Sequence, residues 1–180
     1  PRFEPPSFRR SNAFDATARE VAAVRGAVGI NEVQNFGKYR VTGPAARGWL
    51  DRIMAGRIPA PGRMSLTPML SPRGRIIGDF TVSCLDEERF HLTASYSAQA
   101  YHMRWFVQNA IEGVQVENLS DRLTGFQIAG PKAREVLAAC TRQTVDDMRF
   151  MDLRLVTVGM VDCLVQRVSY TGDLGYEIYC

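Results

Sequence analysis

The chain has 180 residues, of which 46% are hydrophobic and 23% charged, and its net charge is +3. This is the size and balance of a globular chain with one large core or two small ones. The 22 basic and 19 acidic residues are mixed along the sequence, so the charge pattern excludes a nucleic-acid-binding surface. No apolar run approaches the ~20 residues of a membrane-spanning helix, and the N-terminus has no apolar stretch typical of a signal peptide. We therefore expect neither nucleic acid nor a membrane among the partners.

Apolar periodicity predicts the elements of the first part of the chain. Residues 1–12, rich in proline and arginine, are expected to be a linker. Phe14, Ala18, Val21 and Ala22 recur at helical spacing and give the first helix one apolar face. The predicted elements are a helix over 14–24, a strand over 33–42, a helix opened by Pro44, strands over 65–70, 75–85 and 90–94, a helix over 97–111 and a strand over 114–119.

The same signals continue to the end of the chain. They predict a strand over 123–129, a helix opened by Pro131, a helical turn over 144–150, strands over 153–158 and 163–170, and a last strand over 176–179. The chain ends inside this strand. We therefore expect a first subdomain over 13–120 and an incomplete second one over 121–180, whose last strand would be an exposed edge.

An internal repeat suggests how the two parts are related. The stretch Arg40–Leu50 matches Gln127–Leu137, with Gly43 and Gly130 at the same position of a strand, Gly-Pro, helix pattern. Gly-Pro is also common turn chemistry at such junctions. The further shared residues favour a duplicated βα unit. Together with the meanders, it predicts an α+β fold with antiparallel sheets and flanking helices.

The cysteine pattern argues against a metal centre. None of the four cysteines (Cys84, Cys140, Cys163 and Cys180) lies within a few residues of another, and the chain has only two histidines, which we interpret as structural. This spacing matches no common metal motif, so we expect no metal. Free, mostly buried thiols indicate a reducing compartment, which is the cytoplasm or, in a eukaryote, the mitochondrial matrix.

Two stretches carry candidate functional residues. Arg167–Tyr179 is predicted as strand, turn and strand, and its turn gathers Tyr170, Asp173 and Glu177, which could bind a flat ligand rich in hydrogen-bond donors. The alternative is a hairpin with a solvated turn. Asp79 interrupts the apolar strand Ile76–Val82, where a carboxylate is rarely buried unless it is paired or functional. The alternative is a charge that faces outward from a half-exposed strand.

These stretches also carry a family resemblance. Ser169–Glu177 is similar to the Ser-Tyr-Thr-Gly-Glu-Leu-Gly-Trp-Glu signature of the folate-binding domain of dimethylglycine and sarcosine dehydrogenases. The glycine-cleavage T-protein, an aminomethyltransferase, has a related version. Asp173 and Tyr176 stand where the signature has Glu and Trp. Pro72–Val82 resembles the segment that carries the family's functional aspartate, and the resemblance spans residues 8–180.

The resemblance implies roles for three residues. It implies that Asp79 lies near the reacting nitrogens of tetrahydrofolate and tunes their protonation. Glu177 corresponds to the glutamate that grips the pterin ring, and a carboxylate can accept two parallel N–H bonds from such a ring. Tyr170 corresponds to the tyrosine that lines the folate site. From the residues alone, Glu177 could equally face water, and Tyr170 could be a core tyrosine.

The implied fold is the N-terminal part of the aminomethyltransferase fold, and the implied function is one-carbon transfer. A one-carbon unit from a methylated amine would be captured as 5,10-methylenetetrahydrofolate, next to an upstream flavoprotein domain that carries FAD. The chain itself has no Gly-x-Gly-x-x-Gly fingerprint, so we expect no flavin in it. The alternatives are a non-catalytic folate-binding or structural module and a stand-alone folate-dependent demethylase.

Overall fold

The computed structural model describes residues 3–4 and 6–180. In chain order these residues form α1 (Phe14–Gly26), β1 (Gly29–Glu32), β2 (Phe36–Thr42), α2 (Ala46–Ile53), β3 (Arg63–Leu70), β4 (Ile76–Cys84), β5 (Arg89–Ser95), a 3₁₀ turn (Tyr96–Ala98), α3 (Gln99–Gln108), β6 (Gln115–Asn118), β7 (Gly125–Ala129), α4 (Ala133–Ala139), β8 (Leu153–Val158), β9 (Val161–Gln166) and β10 (Gly175–Tyr179). Most of these elements lie within a few residues of the predicted ones.

The strands form two five-stranded antiparallel sheets with the same internal order. The first sheet runs β3-β4-β5-β2-β6, and the second runs β8-β9-β10-β7-β1. In the first sheet, β2 leads into α2, and the next three strands, β3, β4 and β5, form a meander whose last strand pairs with β2. In the second sheet, β7 leads into α4, and β8, β9 and β10 form a meander whose last strand pairs with β7. The fold is therefore α+β with antiparallel sheets and flanking helices, as the sequence predicts.

The two Gly-Pro junctions have nearly the same backbone conformation. Gly43 has a φ of +125° and Gly130 a φ of +126°, values that side-chain-bearing residues rarely adopt. In each copy, the carbonyl of this glycine accepts a 3.0 Å hydrogen bond from the residue three positions on, Ala46 or Ala133. The predicted duplicated βα unit is present in the fold.

Helices cover one face of each sheet. On the outer face of the first sheet, α2 and α3 contribute Trp49 and Phe106 to a cluster that includes Tyr39 and Phe80. On the outer face of the second sheet, α4 contributes Leu137 to a separate cluster. A third and smaller cluster joins the sheets, formed by Val33, Met64, Leu153, Leu164 and Tyr179. The layers are therefore helix, sheet, sheet, helix, and the faces between the sheets have few apolar contacts.

Three predicted features differ from the structure. No residue of α1 is buried, and Phe14 and Val21 of its apolar face are each 43% exposed, because neither sheet packs against that side. Residues 144–150 form a turn and no helix. The strand predicted over 163–170 ends at Gln166.

The last strand is also not an exposed edge. β10 inserts between β7 and β9, where both sides of its backbone are paired and all five residues are buried. The edge strands of this sheet are instead β8 and β1, and β1 precedes the first sheet in sequence. The predicted division at residue 120 therefore stays a prediction, since an early strand completes the later sheet.

The predicted linker over residues 1–12 has no regular structure where it is described. No helix or strand occurs in that part, and Pro1, Arg2 and Pro5 lie outside the described residues. Over residues 3–4 and 6–180, no helix combines the length and apolar character that crossing a membrane requires.

Candidate functional site

The faces of the two sheets that look at each other carry polar rows. In the first sheet, β2, β5 and β4 align Arg40, His91 and Ser83 side by side. In the second sheet, β7, β10 and β9 align Gln127, Glu177 and Gln166. Because the sheets share one strand order, these rows occupy equivalent positions in the duplicated unit. Antiparallel pairing puts the members of each row on one face.

Direct contacts join the two rows. The Gln166 Nε2 donates a 2.9 Å hydrogen bond to the Ser83 Oγ across the gap between the sheets. The rings of His91 and Tyr179 lie 5.2 Å apart between their centroids. Apart from the exposed Arg40, which pairs with Glu117, the rows therefore form one buried polar layer between the sheets.

Glu177 is the charged residue at the centre of the second row. It is only 8% exposed, and it accepts a 2.8 Å hydrogen bond from the Tyr179 hydroxyl. Burial raises the pKa of this carboxyl above its ordinary value, and the bond from Tyr179 opposes that shift. No cation forms an ion pair with it within the described part of the chain. Most of its capacity to accept hydrogen bonds is free.

Unpaired polar atoms concentrate around this carboxylate. Across the described residues, five buried side-chain nitrogen and oxygen atoms have no hydrogen-bond partner, and three of them belong to the two rows: His91 Nε2, Gln127 Nε2 and Gln166 Oε1. Buried polar atoms are usually paired, since an unpaired one costs about 1–3 kcal/mol. Their concentration here is typical of a site that a polar ligand completes.

Asp79 lies on the same side of the first sheet as this layer. Strand alternation gives Asp79, Thr81 and Ser83 a common face, whereas Phe80 points the other way into the aromatic cluster under α3. Phe80 packs against His102 at 4.7 Å and Phe106 at 5.9 Å between ring centroids. This packing anchors the strand that presents the exposed Asp79 carboxylate.

Tyr170 stands apart from the other two predicted residues. It lies in the turn that follows β9, where Ser169 Oγ donates a 2.5 Å bond to the Asp173 carbonyl. Tyr170 is 87% exposed, and within the described residues it contacts neither Asp79 nor Glu177 through a hydrogen bond. The structure therefore brings the two carboxylates to facing sheet surfaces and leaves the tyrosine outside. The joint role of the three residues stays a prediction.

Sequence reasoning misses the neighbours of Glu177. Gln127 sits in the otherwise apolar strand β7, and Gln166 follows the apolar run over residues 163–165 of β9, and these patterns are the only local signals that mark them. The sequence suggests a structural role for His91, but this residue has an unpaired ring nitrogen in the polar layer. Only strand register reveals that these residues belong together.

A cavity that does not include the predicted site residues opens between the two sheets. Its volume is about 810 Å³, and its lining includes Arg40, His91, Glu117, Leu164, Tyr179 and Cys180. None of the predicted residues Asp79, Tyr170 and Glu177 lines it. Tyr179 borders this cavity and also donates a hydrogen bond to Glu177.

Burial makes the contribution of His91 to stability depend on pH. Burial and the nearby Lys38 ammonium lower its pKa from 6.5 to about 4. Since the unfolded chain then binds a proton more readily than the folded one, His91 stabilises the fold above pH 6.5. That contribution is lost as the pH falls toward 4.

We expect His91 to lower the free energy of unfolding by about 1 kcal/mol per pH unit as the pH falls from 6.5 to 4. Urea titrations of the wild-type protein and His91→Leu at several pH values in this range would measure it. The variant should lose stability less steeply than the wild type. If the free energy of unfolding fell equally steeply with pH in both proteins, the role given to His91 would be contradicted.

Comparisons with known proteins agree with this architecture. The family model described as the GCVT N-terminal domain matches residues 2–180. Human mitochondrial dimethylglycine dehydrogenase is 32% identical over 179 residues, which cover 97% of this chain and 21% of that protein. The aminomethyltransferase of Bacillus subtilis is 31% identical over 170 residues, covering 93% of this chain and 47% of that enzyme. The chain thus spans about a fifth of the dehydrogenase and about half of the aminomethyltransferase.

Solved structures match the fold itself. The glycine cleavage system aminomethyltransferase T from Bartonella henselae has a TM-score of 0.79 at 24% identity, covering 89% of this chain and 44% of that one. A chain of the heterotetrameric sarcosine oxidase from Corynebacterium sp. U-96 has a TM-score of 0.65 at 20% identity, covering 97% and 87%. With the paired antiparallel sheets, the repeated Gly-Pro junctions and the match over residues 2–180, this chain belongs to the GCVT N-terminal domain family.

Proposed function

We propose that this chain binds tetrahydrofolate and takes part in the transfer of a one-carbon unit derived from a methylated amine. The observation that carries the proposal is the buried Glu177 carboxylate, which has one hydrogen-bond donor and lies among unpaired amide atoms. The pterin ring of a folate presents a ring N–H and an amino group side by side. A carboxylate accepts such a pair in two parallel charge-assisted bonds.

The residues present fit this ligand at its polar end. Glu177 supplies the acceptor. Burial raises its pKa and the single bond from Tyr179 opposes that shift, and two further donors from a ligand would stabilise its charged form. When bound, tetrahydrofolate supplies the nitrogen atoms that receive the one-carbon unit. We also assign Tyr170 to the ligand site, where its ring is exposed in the turn after β9.

Asp79 is the proposed proton-handling residue. It is exposed on the face of the first sheet that looks toward the second, so its carboxylate can exchange protons with solvent and with a bound amine. A carboxylate next to a developing positive charge also stabilises that charge. Held together, the ligand nitrogen and the one-carbon donor react without the entropy cost of a bimolecular encounter.

The names of the relatives support finer features of the proposal. Dimethylglycine dehydrogenase and sarcosine oxidase are named for the oxidation of methylated amines. We propose a parent protein of the dimethylglycine or sarcosine dehydrogenase type, in which a flavoprotein domain with FAD supplies the one-carbon unit and the product is 5,10-methylenetetrahydrofolate.

Isothermal titration calorimetry with tetrahydrofolate on the protein at its full length tests the proposal. Binding that Glu177→Ala abolishes would support it, whereas a wild-type protein that does not bind tetrahydrofolate would refute it. Binding without turnover of a methylated amine would instead favour the non-catalytic module.

Asp79→Asn is expected to separate binding from chemistry. Since Asp79 is exposed and makes no hydrogen bond or ion pair through its side chain among the described residues, tetrahydrofolate affinity should stay within about threefold of wild type. One-carbon transfer should fall by about 100-fold, the usual effect of losing a proton-transfer group. Calorimetry and a single-turnover assay measure the two quantities. Asp51→Asn, an exposed aspartate on α2, is the control, and equal transfer rates in both variants would contradict the role of Asp79.

A further inference from the structure

Gln127 and Gln166 flank Glu177 on its two neighbouring strands. The register of β10 puts Glu177 opposite Gln127 on β7 and opposite Gln166 on β9. Directly opposed residues on antiparallel strands have their Cβ atoms about 5 Å apart on one face. The three side chains therefore form one row with the carboxylate in the middle.

The two amides offer opposite chemistry at the ends of the row. Gln166 is fully buried, and its Nε2 is already used by Ser83, which leaves the Oε1 as an unpaired acceptor. Gln127 is 6% exposed, and its Nε2 is an unpaired donor. Along the row, the available groups are a donor, a carboxylate acceptor and an amide acceptor.

Packing explains neither unpaired amide atom, although the other end of the Gln166 amide bonds Ser83 across the sheets. A buried amide atom without a partner destabilises the folded protein, and an apolar side chain of the same length would avoid that cost. Two such atoms on either side of one buried carboxylate are consistent with a ligand that pairs all three.

We propose that Gln127, Glu177 and Gln166 together read the polar edge of the bound ring. The inference rests on the proposed function and assigns the ligand class as a planar heterocycle with a carbonyl, a ring N–H and an exocyclic amino group in sequence. Gln127 donates to the carbonyl, Glu177 accepts from the ring N–H and the amine, and Gln166 accepts the outer hydrogen of the amine. The two glutamines are thus specificity-determining residues for the 2-amino-4-oxo edge of a pterin.

This arrangement makes a prediction about selectivity. A site built to pair a polar group rejects a ligand that lacks it, because its own buried atom is then left unpaired. Removal of the 2-amino group from the ligand should therefore cost more when Gln166 is present than when it is absent.

The test uses the protein at its full length, tetrahydrofolate and its 2-desamino analogue. Calorimetry gives the affinity of both ligands for the wild type, Gln127→Met and Gln166→Met, in which methionine keeps the side-chain length and removes the amide. Gln108→Met, on the exposed side of α3, is the matched control. The melting temperature of each ligand-free protein is measured alongside.

The expected results differ between the two glutamines. Gln166→Met should weaken tetrahydrofolate binding about tenfold and lower the wild-type preference for it over the desamino analogue by a similar factor. Gln127→Met should weaken both ligands about tenfold and leave the preference unchanged. Gln127→Met should not melt below the wild type without ligand, since it removes an unpaired buried atom. Gln166→Met also loses the hydrogen bond to Ser83, so its melting temperature serves only to check that the variant is folded.

Other outcomes would overturn the inference in separable ways. A Gln166→Met protein that keeps the wild-type preference would refute the proposed pairing, even if its stability and overall affinity fall. The inference would also be refuted if Gln127→Met and Gln166→Met bound both ligands as tightly as Gln108→Met does. In that case the proposed function would still stand, provided that the wild type binds tetrahydrofolate. A wild-type protein that binds neither ligand would refute the proposed function and the inference with it.

Discussion

Replacing Glu177 by glutamine is expected to weaken tetrahydrofolate binding about 1,000-fold, because two charge-assisted hydrogen bonds of about 2 kcal/mol each are lost. The side-chain amide of glutamine also carries N–H donors, which would face the N–H donors of the ring without a bond. The same substitution should raise the melting temperature of the ligand-free protein at pH 7.5, since a buried charge with one hydrogen bond gives way to a neutral group.

The gain in stability should depend on pH in a definite direction. Burial raises the pKa of Glu177 above its ordinary value of 4.5, so the folded wild-type protein holds this proton more tightly than the unfolded chain. The stability that Glu177 contributes is then fully present below pH 4.5 and is lost as the pH rises through the raised pKa. The advantage of Glu177→Gln should therefore be largest at neutral pH and vanish below pH 4.5.

Thermal melts at pH 7.5 and pH 4, together with calorimetry, measure both effects. Glu135→Gln, an exposed glutamate on α4, is the control and should change neither quantity. A variant that binds tetrahydrofolate like the wild type would remove Glu177 from the site. A variant that melts at a lower temperature at pH 7.5 would show that the carboxylate stabilises the ligand-free fold.

Gly43→Ala and Gly130→Ala are each expected to destabilise the fold by about 3 kcal/mol or more. Both glycines have a φ near +125°, which an alanine adopts only with strain. A Cβ at Gly43 would lie 2.1 Å from the Gly113 carbonyl oxygen, and one at Gly130 would lie 2.3 Å from the Val24 carbonyl oxygen. Since both neighbours are backbone atoms, the clash cannot be relieved by a side-chain rotation.

Two control substitutions separate the contributions of strain and clash. Gly74 has a φ of +72°, and no atom lies within 4 Å of the position that a Cβ would take there, so Gly74→Ala carries strain alone. Gly48 lies inside α2 with free space around it, so Gly48→Ala should be neutral or stabilise by up to about 1 kcal/mol. Urea denaturation gives the free energy of unfolding of each of the four variants and so ranks them by stability. Junction variants as stable as Gly74→Ala would contradict the role of the close backbone contacts.

Local sequence patterns are sufficient for most of the fold. Alternation marks the meander over β3, β4 and β5, because one of its faces is buried under helices and the other meets polar groups. The repeated Gly-Pro pattern indicates the duplicated unit, since a strand that turns into a helix at that angle needs a glycine with positive φ. Each of these signals involves only a few neighbouring residues, so the sequence is sufficient to show it.

Local patterns fail where an element depends on distant partners. The periodicity of α1 predicts a buried face, but burial requires a neighbouring surface, and neither sheet supplies one. β10 is the last strand in sequence, yet it is central in its sheet because β7 and β9, from separate stretches, pair on both of its sides. Alternation predicts Tyr170 inside a strand, yet β9 ends before it and leaves it in an exposed turn.

The sequence by itself determined the class of the fold, the family and the position of Glu177 in a strand, because these depend on short motifs and on the alternation of side chains. Only the tertiary structure decided what surrounds Glu177. Gln127 and Gln166 lie about 50 and 11 residues away along the chain, and they meet the carboxylate through strand register. Ser83 and His91 reach the same layer because a second sheet packs face to face with the first. Register and sheet packing are properties of the whole chain, so no single stretch of sequence contains them.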